Sequence, residues 1–362
     1  MQATEQIGTL MTHSKGNSVS YATERANELV PEQINELSRN FWNSAVLRAG
    51  IKLGVFPLLE NQSLTASAIA DHLNANPRFV EAFLEACTIL GLLDKTGDAY
   101  RNSDLAAAFL IPDKPDYVGN LVLHITNYWH TWGNLDSLIC EGRTELPFEN
   151  GYTDAVTYWK DYMEGQHNRA TAGQGQNLAQ SVDLSGRHKM LDLGGGAASY
   201  SLALCEANPQ LHSDVVDAKE PLAIAKPLVE AHHLQDRITL IEGNMHTIDL
   251  GQDSDVVLIS GVVLIKSEDD CRRIFRRAFD ALKPGGLIIV QDFMRIDHGE
   301  KRRFLDTMMD MYVVVGFDPG AGDRYGDDYA TWLQDTGFNH INQIPLPTQL
   351  AIMTAEKPST SV

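Results

Sequence analysis

The chain has 362 residues, 43% hydrophobic and 21% charged, which excludes a disordered polymer and leaves room for two ordinary domains with their own cores. A net charge of −19 opposes binding to a polyanion, and the four scattered cysteines, Cys87, Cys140, Cys205 and Cys271, suit neither a zinc site nor a disulfide framework and read as reduced and mostly buried. The polar first 25 or so residues lack the apolar segment of a signal peptide, and no run of about 18 apolar residues marks a membrane span, so a cytoplasmic protein away from membranes is expected.

From Val30 to about Pro115 the apolar spacing is helical, as in "EQINELSRNFWNSAVLRAGIKLGVFPLLE". Ser63 or Thr65 can cap one helix, Asn76-Pro77 opens the next, and "GLLDKTGDAY" reads as a strand, a Gly turn and a strand. This is a winged-helix pattern. Such modules often read DNA, but the second helix carries Glu81 and Glu85 with only Arg78 at its start, so packing or dimerisation without nucleic acid is the expectation.

Residues 116–180 hold aromatic-rich helices, "LVLHITNYWHTWGNLDSLI" and "DAVTYWKDYMEGQHNRA", joined by a loop with Gly and Pro. Beyond Ser185-Gly186 apolar runs of strand length alternate with helical segments: "HKMLDL", "SDVVDA", "ITLIEGNM", "SDVVLISGVV", "GLIIVQDF" and "LAIMTAEK". That alternation predicts an α/β fold with a doubly wound, Rossmann-like sheet. The expected organisation is a flexible tail (1–25), a mostly helical winged-helix domain (26–115), a connecting layer with the acceptor pocket (116–180) and a cofactor-binding domain (181–362).

Within "LDLGGGAASYSLAL" a strand ends near Asp192, the glycines 194 to 196 follow, and a helix starts near Ser199. Glycines there let backbone approach a ligand, with helix N–H groups facing it. A bare strand-to-helix turn looks the same, but Asp217 ends the next strand about 20 residues later, where a carboxylate accepts ribose hydroxyls. Ser199 breaks the G-x-G-x-x-G spacing, and an acid two residues before the first glycine suits a cationic, phosphate-free cofactor better than a pyrophosphate. S-adenosylmethionine fits that description.

The ordered set "LDLGGG", Asp217, "EGNM", "SGVVLIKSEDDC", "ALKPGG" and "GDRYGDDYATWLQDTGF" resembles the motifs of class I S-adenosylmethionine-dependent O-methyltransferases with an N-terminal winged-helix dimerisation domain. The group includes plant phenylpropanoid and hydroxyindole O-methyltransferases, and the resemblance runs from about residue 35 onward. It implies a homodimer acting on a small molecule. It also implies that Asp192 and Gly194 serve the methionine end, Asp217 the ribose, and Asn244 with Met245 the adenine, with Gly195 and Ser260 as further cofactor-binding residues. Asn244 stands where the family usually has Asp.

Where hydroxyl-methylating members read roughly "NVLHDWxDEDC", this chain reads "GVVLIKSEDDC", so Leu264 replaces the His base. Gln291 is taken for the Glu that commonly orients that base, while Asp323 survives as a second acid. A general base contributes roughly 10²- to 10⁴-fold. Either a substitute exists, among His124, His130, His167 and Asp292, or the acceptor needs no deprotonation, as for a thioether sulfur methylated to a sulfonium. The latter is similar to the methylthiohydroxybutyrate S-methyltransferases of dimethylsulfoniopropionate synthesis. An O- or C-methyltransferase with a relocated base, a pericyclase that keeps the cofactor without consuming methyl, and a non-catalytic dimeric binding module are the other readings.

An aromatic stripe is ordinarily core packing, yet Tyr128, Trp129, Trp132, Tyr158, Trp159, Tyr162 and Tyr312 could also face a cation. By resemblance Trp132, Tyr162, Met163, Met308 and Tyr312 line the acceptor pocket. His124, Tyr128, His130, His167 and Arg169 are the candidate donors for an acceptor carboxylate.

Overall fold

The computed structural model describes residues 29–296, 304–347 and 350–359. The expected tail, residues 1–25, lies outside them. The chain divides into one unit ending at Gly119 and another beginning at Asn120, so residues 120–180 cluster with the cofactor-binding part of the chain.

In the first unit Thr65 Oγ1 accepts the Ala68 N–H at the start of helix Ala66–Leu73. Asn76 Oδ1 accepts from Arg78 and Phe79 at the start of helix Pro77–Ile89, with Pro77 in the first turn. Strands β1 (Leu64–Thr65), β2 (Leu93–Thr96) and β3 (Ala99–Asn102) form an antiparallel sheet ordered β1-β3-β2. Gly97, at φ +64°, supplies the left-handed residue of the β2–β3 hairpin. Glu85, read as a mark against DNA, accepts the Tyr100 hydroxyl at 2.6 Å and pairs with Lys95, tying the second helix to this wing. Ile34, Trp42, Phe79 and Ile89 remain exposed on the single chain.

The second unit contains β4 (Lys189–Leu193), β5 (His212–Asp217), β6 (Ile238–Glu242), β7 (Ser254–Ser260), β8 (Leu282–Phe293), β9 (Asn339–Pro345) and β10 (Leu350–Glu356). Their order is β6-β5-β4-β7-β8-β10-β9. The pairs from β6 through β8 are parallel and the two at the β9 edge antiparallel. Period-2 alternation splits the apolar runs between two cores: Val257, Ile259, Ile288 and Val290 on one face, Val256, Leu258 and Ile289 on the other. The "LKPGG" stretch is a bulge within β8, since Ser254 pairs with Leu282 and Val256 with Leu287. Strand order reverses between β4 and β7, which opens a crevice at their carboxyl ends. Of the cysteines, Cys87, Cys205 and Cys271 are buried, as expected of most of them, and Cys140 is exposed.

Candidate active site: a cofactor cavity joined to an acceptor cavity

At the carboxyl ends of β4, β5 and β7 lies a cavity of about 280 Å³. Gly194 and Gly196 have φ of +74° and +56°. A Cβ on Gly194 would come within 2.8 Å of Val262 Cγ2, and one on Gly195 within 2.6 Å of Asp192 Oδ2. Asp217 Oδ2 accepts the Gly196 N–H at 2.8 Å, linking β5 to the glycine turn. Asp192 is buried and accepts the Ser201 hydroxyl at 2.6 Å. Burial pushes its carboxyl up to about 7, against that hydrogen bond, and raises Asp217 against the N–H groups of Ala218 and Gly196. Asp192, Gly194, Gly195, Asp217, Met245 and Ser260 all line this cavity, and so does Lys266. Asn244 is not among its lining residues; its Oδ1 accepts the His246 N–H at 2.8 Å.

A second cavity, of about 480 Å³, adjoins it, and Tyr162, Gln166, Gly261, Ile265 and Phe317 line both. His124, Trp132, Tyr162, Arg169, Met308 and Tyr312 line this second space. His124 Nε2 is 2.8 Å from the Tyr312 hydroxyl, and its ring stacks on Tyr162 at 4.5 Å. Burial first, and the Arg169 charge second, push its imidazole down to about 3, so it is neutral at ordinary pH. Among the described lining residues Arg169 is the one fixed cation and Asp292 the one carboxylate. Arg169 sits on helix Ala155–Arg169, just before a π-helical turn, Ala170–Gln174, in which Gly173 takes φ +113°. The guanidinium lies 6.0 Å from the Phe293 ring centroid and has no carboxylate of the described residues within ion-pair distance.

Leu264 lies on a 3₁₀ turn after β7, is 3% exposed and lines the acceptor cavity. The β8 side chain bonded to the Leu264 backbone is Asp292, which lines the acceptor cavity, whereas Gln291 does not. Asp292 Oδ2 accepts the Leu264 N–H at 3.1 Å and Oδ1 its neighbour's, Phe293, at 2.8 Å. Alternation explains the difference: Asp292 shares the face of Ile288 and Val290, while Gln291 shares that of Ile289 and turns toward Tyr200. An acid beside position 264 is therefore retained. Burial pushes it up to about 6, opposed by the surrounding backbone N–H groups.

Other expected donors lie elsewhere. Tyr128 is buried behind Tyr312, its hydroxyl 2.8 Å from that of Tyr158. His130 is at the surface, 3.0 Å from Asn134 Nδ2. Met163 lies on the cofactor side, where a Cβ on Gly196 would come 3.2 Å from its sulfur. His167 pairs with the Ser199 hydroxyl at 2.9 Å and lines neither cavity. Asp323 is paired with Arg295 at 3.0 Å. Gln166, Gln174 and Lys266 were not anticipated. Only Lys266 left a trace in the sequence, as the cation inside "VVLIKSEDD".

The profile of the O-methyltransferase domain matches residues 129–339, and that of the O-methyltransferase dimerisation domain residues 35–112. Among curated proteins the chain is 30% identical to 3-hydroxy-5-methyl-1-naphthoate 3-O-methyltransferase of Streptomyces sahachiroi, over 87% of this chain and 91% of the other. It is 28% identical to L-tyrosine C(3)-methyltransferase of Streptomyces lavendulae, over 70% and 72%. Human N-acetylserotonin methyltransferase, solved with S-adenosylmethionine, superposes with a TM-score of 0.81 at 23% identity, covering 92% of this chain and 99% of its own.

Proposed function

Because the chain belongs to the O-methyltransferase family whose members carry a dimerisation domain, we propose that this methyltransferase acts on a small carboxylic acid and methylates a neutral thioether sulfur in it. The enzyme is S-adenosylmethionine-dependent, and the dimerisation domain supports a homodimer. When bound, the cofactor supplies an electrophilic methyl group on a sulfonium. The cofactor cavity suits it: the glycine turn has no room for Cβ atoms, Asp217 would accept from ribose hydroxyls, and Asp192 and Ser260 would hold an amino group. Lys266 is the cation for its carboxylate. Met245 is the adenine contact, since the Asn244 oxygen is held by the His246 N–H.

Arg169, without an ion-pair partner among the described residues, in a pocket whose base position is Leu264, carries the reading. Arg169 is half-buried and lines the cavity, where an acceptor carboxylate would give its guanidinium a charge-assisted partner. Leu264 presents a dry wall where a hydroxyl substrate would need its proton removed. Sulfur needs no base, so alignment and exclusion of water are what the pocket supplies. A 4-methylthio-2-hydroxybutyrate-like acid, as in dimethylsulfoniopropionate synthesis, meets both requirements.

One observation favours a second reading: Asp292, buried and held up to about 6, is placed to take a proton from a hydroxylated acid. The naphthoate named for the Streptomyces sahachiroi relative is such an acid. Methyl transfer from labelled donor to a matched panel of thioether acids, hydroxynaphthoates, hydroxyindoles and tyrosine separates the two. Label in a thioether acid alone is expected; label only in hydroxyl or ring-carbon products would overturn the thioether assignment.

A further inference from the structure

We propose that Asp292 is the counter-charge of the acceptor cavity, a specificity residue that recognises cationic sulfur in the methylated acid. The inference rests on the thioether reading above. In that reaction the acceptor sulfur's lone pair forms the new S–CH3 bond and the pair of the broken bond stays on the donor sulfur. No proton is released, and one positive charge passes from the cofactor cavity to the acceptor cavity.

The two cavities differ in what receives that charge. Asp192 and Asp217 line the first only; among the described residues Asp292 is the only carboxylate lining the second. Gly261 and Ile265, which flank the turn that Asp292 holds, belong to both, so Asp292 stands close to the passage between them. Its two oxygens accept backbone N–H groups of Leu264 and Phe293, which fix the carboxylate in place and favour its charged form. Burial pushes the group up to about 6, so it is ionised at pH 8. Arg169, the cation of the same cavity, is not paired with it, and each remains available to one end of a zwitterionic product. An interaction stronger with the methylated sulfur than with the neutral one acts on the transition state more than on the bound acceptor. The faces of Tyr162, Tyr312 and Phe317 complete the surroundings of the sulfur without adding charge.

The test is calorimetric, on the whole protein saturated with S-adenosylhomocysteine at pH 8. The probes are 4-(dimethylsulfonio)butanoate and its isostere without the sulfonium charge, 5-methylhexanoate, which share a carboxylate and differ at the branch atom. The wild type should prefer the sulfonium by about tenfold or more. Asp292→Asn should erase that preference while leaving 5-methylhexanoate affinity within about twofold, and Asp292→Glu should keep it, which separates charge from packing. An unchanged preference in Asp292→Asn, or equal weakening of both acids, would overturn the assignment. If neither acid binds the wild type, the carboxylate-accepting pocket fails as well, a result distinct from binding that ignores residue 292.

Discussion

Replacing Arg169 with Met removes the fixed cation of the acceptor cavity while keeping most of its unbranched stem. The native chain should tolerate this well. Among the described residues Arg169 makes no ion pair, and its aromatic contact, to Phe293, is at the 6.0 Å limit of cation–π range, so the change in folding stability stays within about 1 kcal/mol. Binding is another matter. A carboxylate that loses a guanidinium partner in a partly buried site loses about 2 kcal/mol or more, roughly thirtyfold in affinity. Steady-state kinetics with a thioether acid and with its primary amide, alongside thermal unfolding, measure both effects. KM for the acid should rise roughly thirtyfold, KM for the amide should change little, and the unfolding midpoint should hold. An unchanged acid-to-amide ratio in Arg169→Met would show that the carboxylate is bound elsewhere.

Asp217→Ala removes both the carboxylate facing the cofactor cavity and its bond to Gly196; S-adenosylhomocysteine affinity should fall by about tenfold or more, and undiminished binding would remove its ribose role. Leu264→Ala opens a void against Val313 and Tyr312, so turnover should drop while the pH profile keeps its shape; a lost ionisation would contradict the inert-wall account. Asp292 carries a raised pKa in the folded chain, about 6, so its contribution to stability is full below the unfolded value near 4 and is lost as pH rises through 6. His124, lowered to about 3, has the opposite sign, contributing above its unfolded value of about 6.5 and losing that as pH falls. The measurement is therefore the difference between wild type and Asp292→Asn in unfolding free energy. Relative to the variant, the wild type should gain stability on going from pH 7 to pH 4, and parallel curves would refute the shift.

The sheet was legible because its central strands are buried on both faces and read as unbroken apolar runs. β9 was not, since "NHINQIP" is a polar, largely exposed edge strand with no such signature. The glycine turn and Asp217 announce themselves because the backbone conformation permits few other residues, as the close approaches around Gly194 and Gly195 show. The acceptor pocket is harder to read. Its walls come from segments more than a hundred residues apart, and a helix face that packs inward looks like one that lines a cavity; hence Tyr128 fell behind Tyr312 and His130 at the surface. Asp292 rather than its neighbour Gln291 lines the acceptor cavity because in a strand one residue is a change of face.

The central claim is that the acceptor atom has no proton to lose. Protons released per methyl group transferred, followed in weakly buffered solution with a thioether acid and with a hydroxynaphthoate, test it most directly. The account predicts turnover of the thioether acid with no proton release. Turnover confined to the hydroxynaphthoate, with one proton released for each methyl group, would contradict it and make Asp292 a general base.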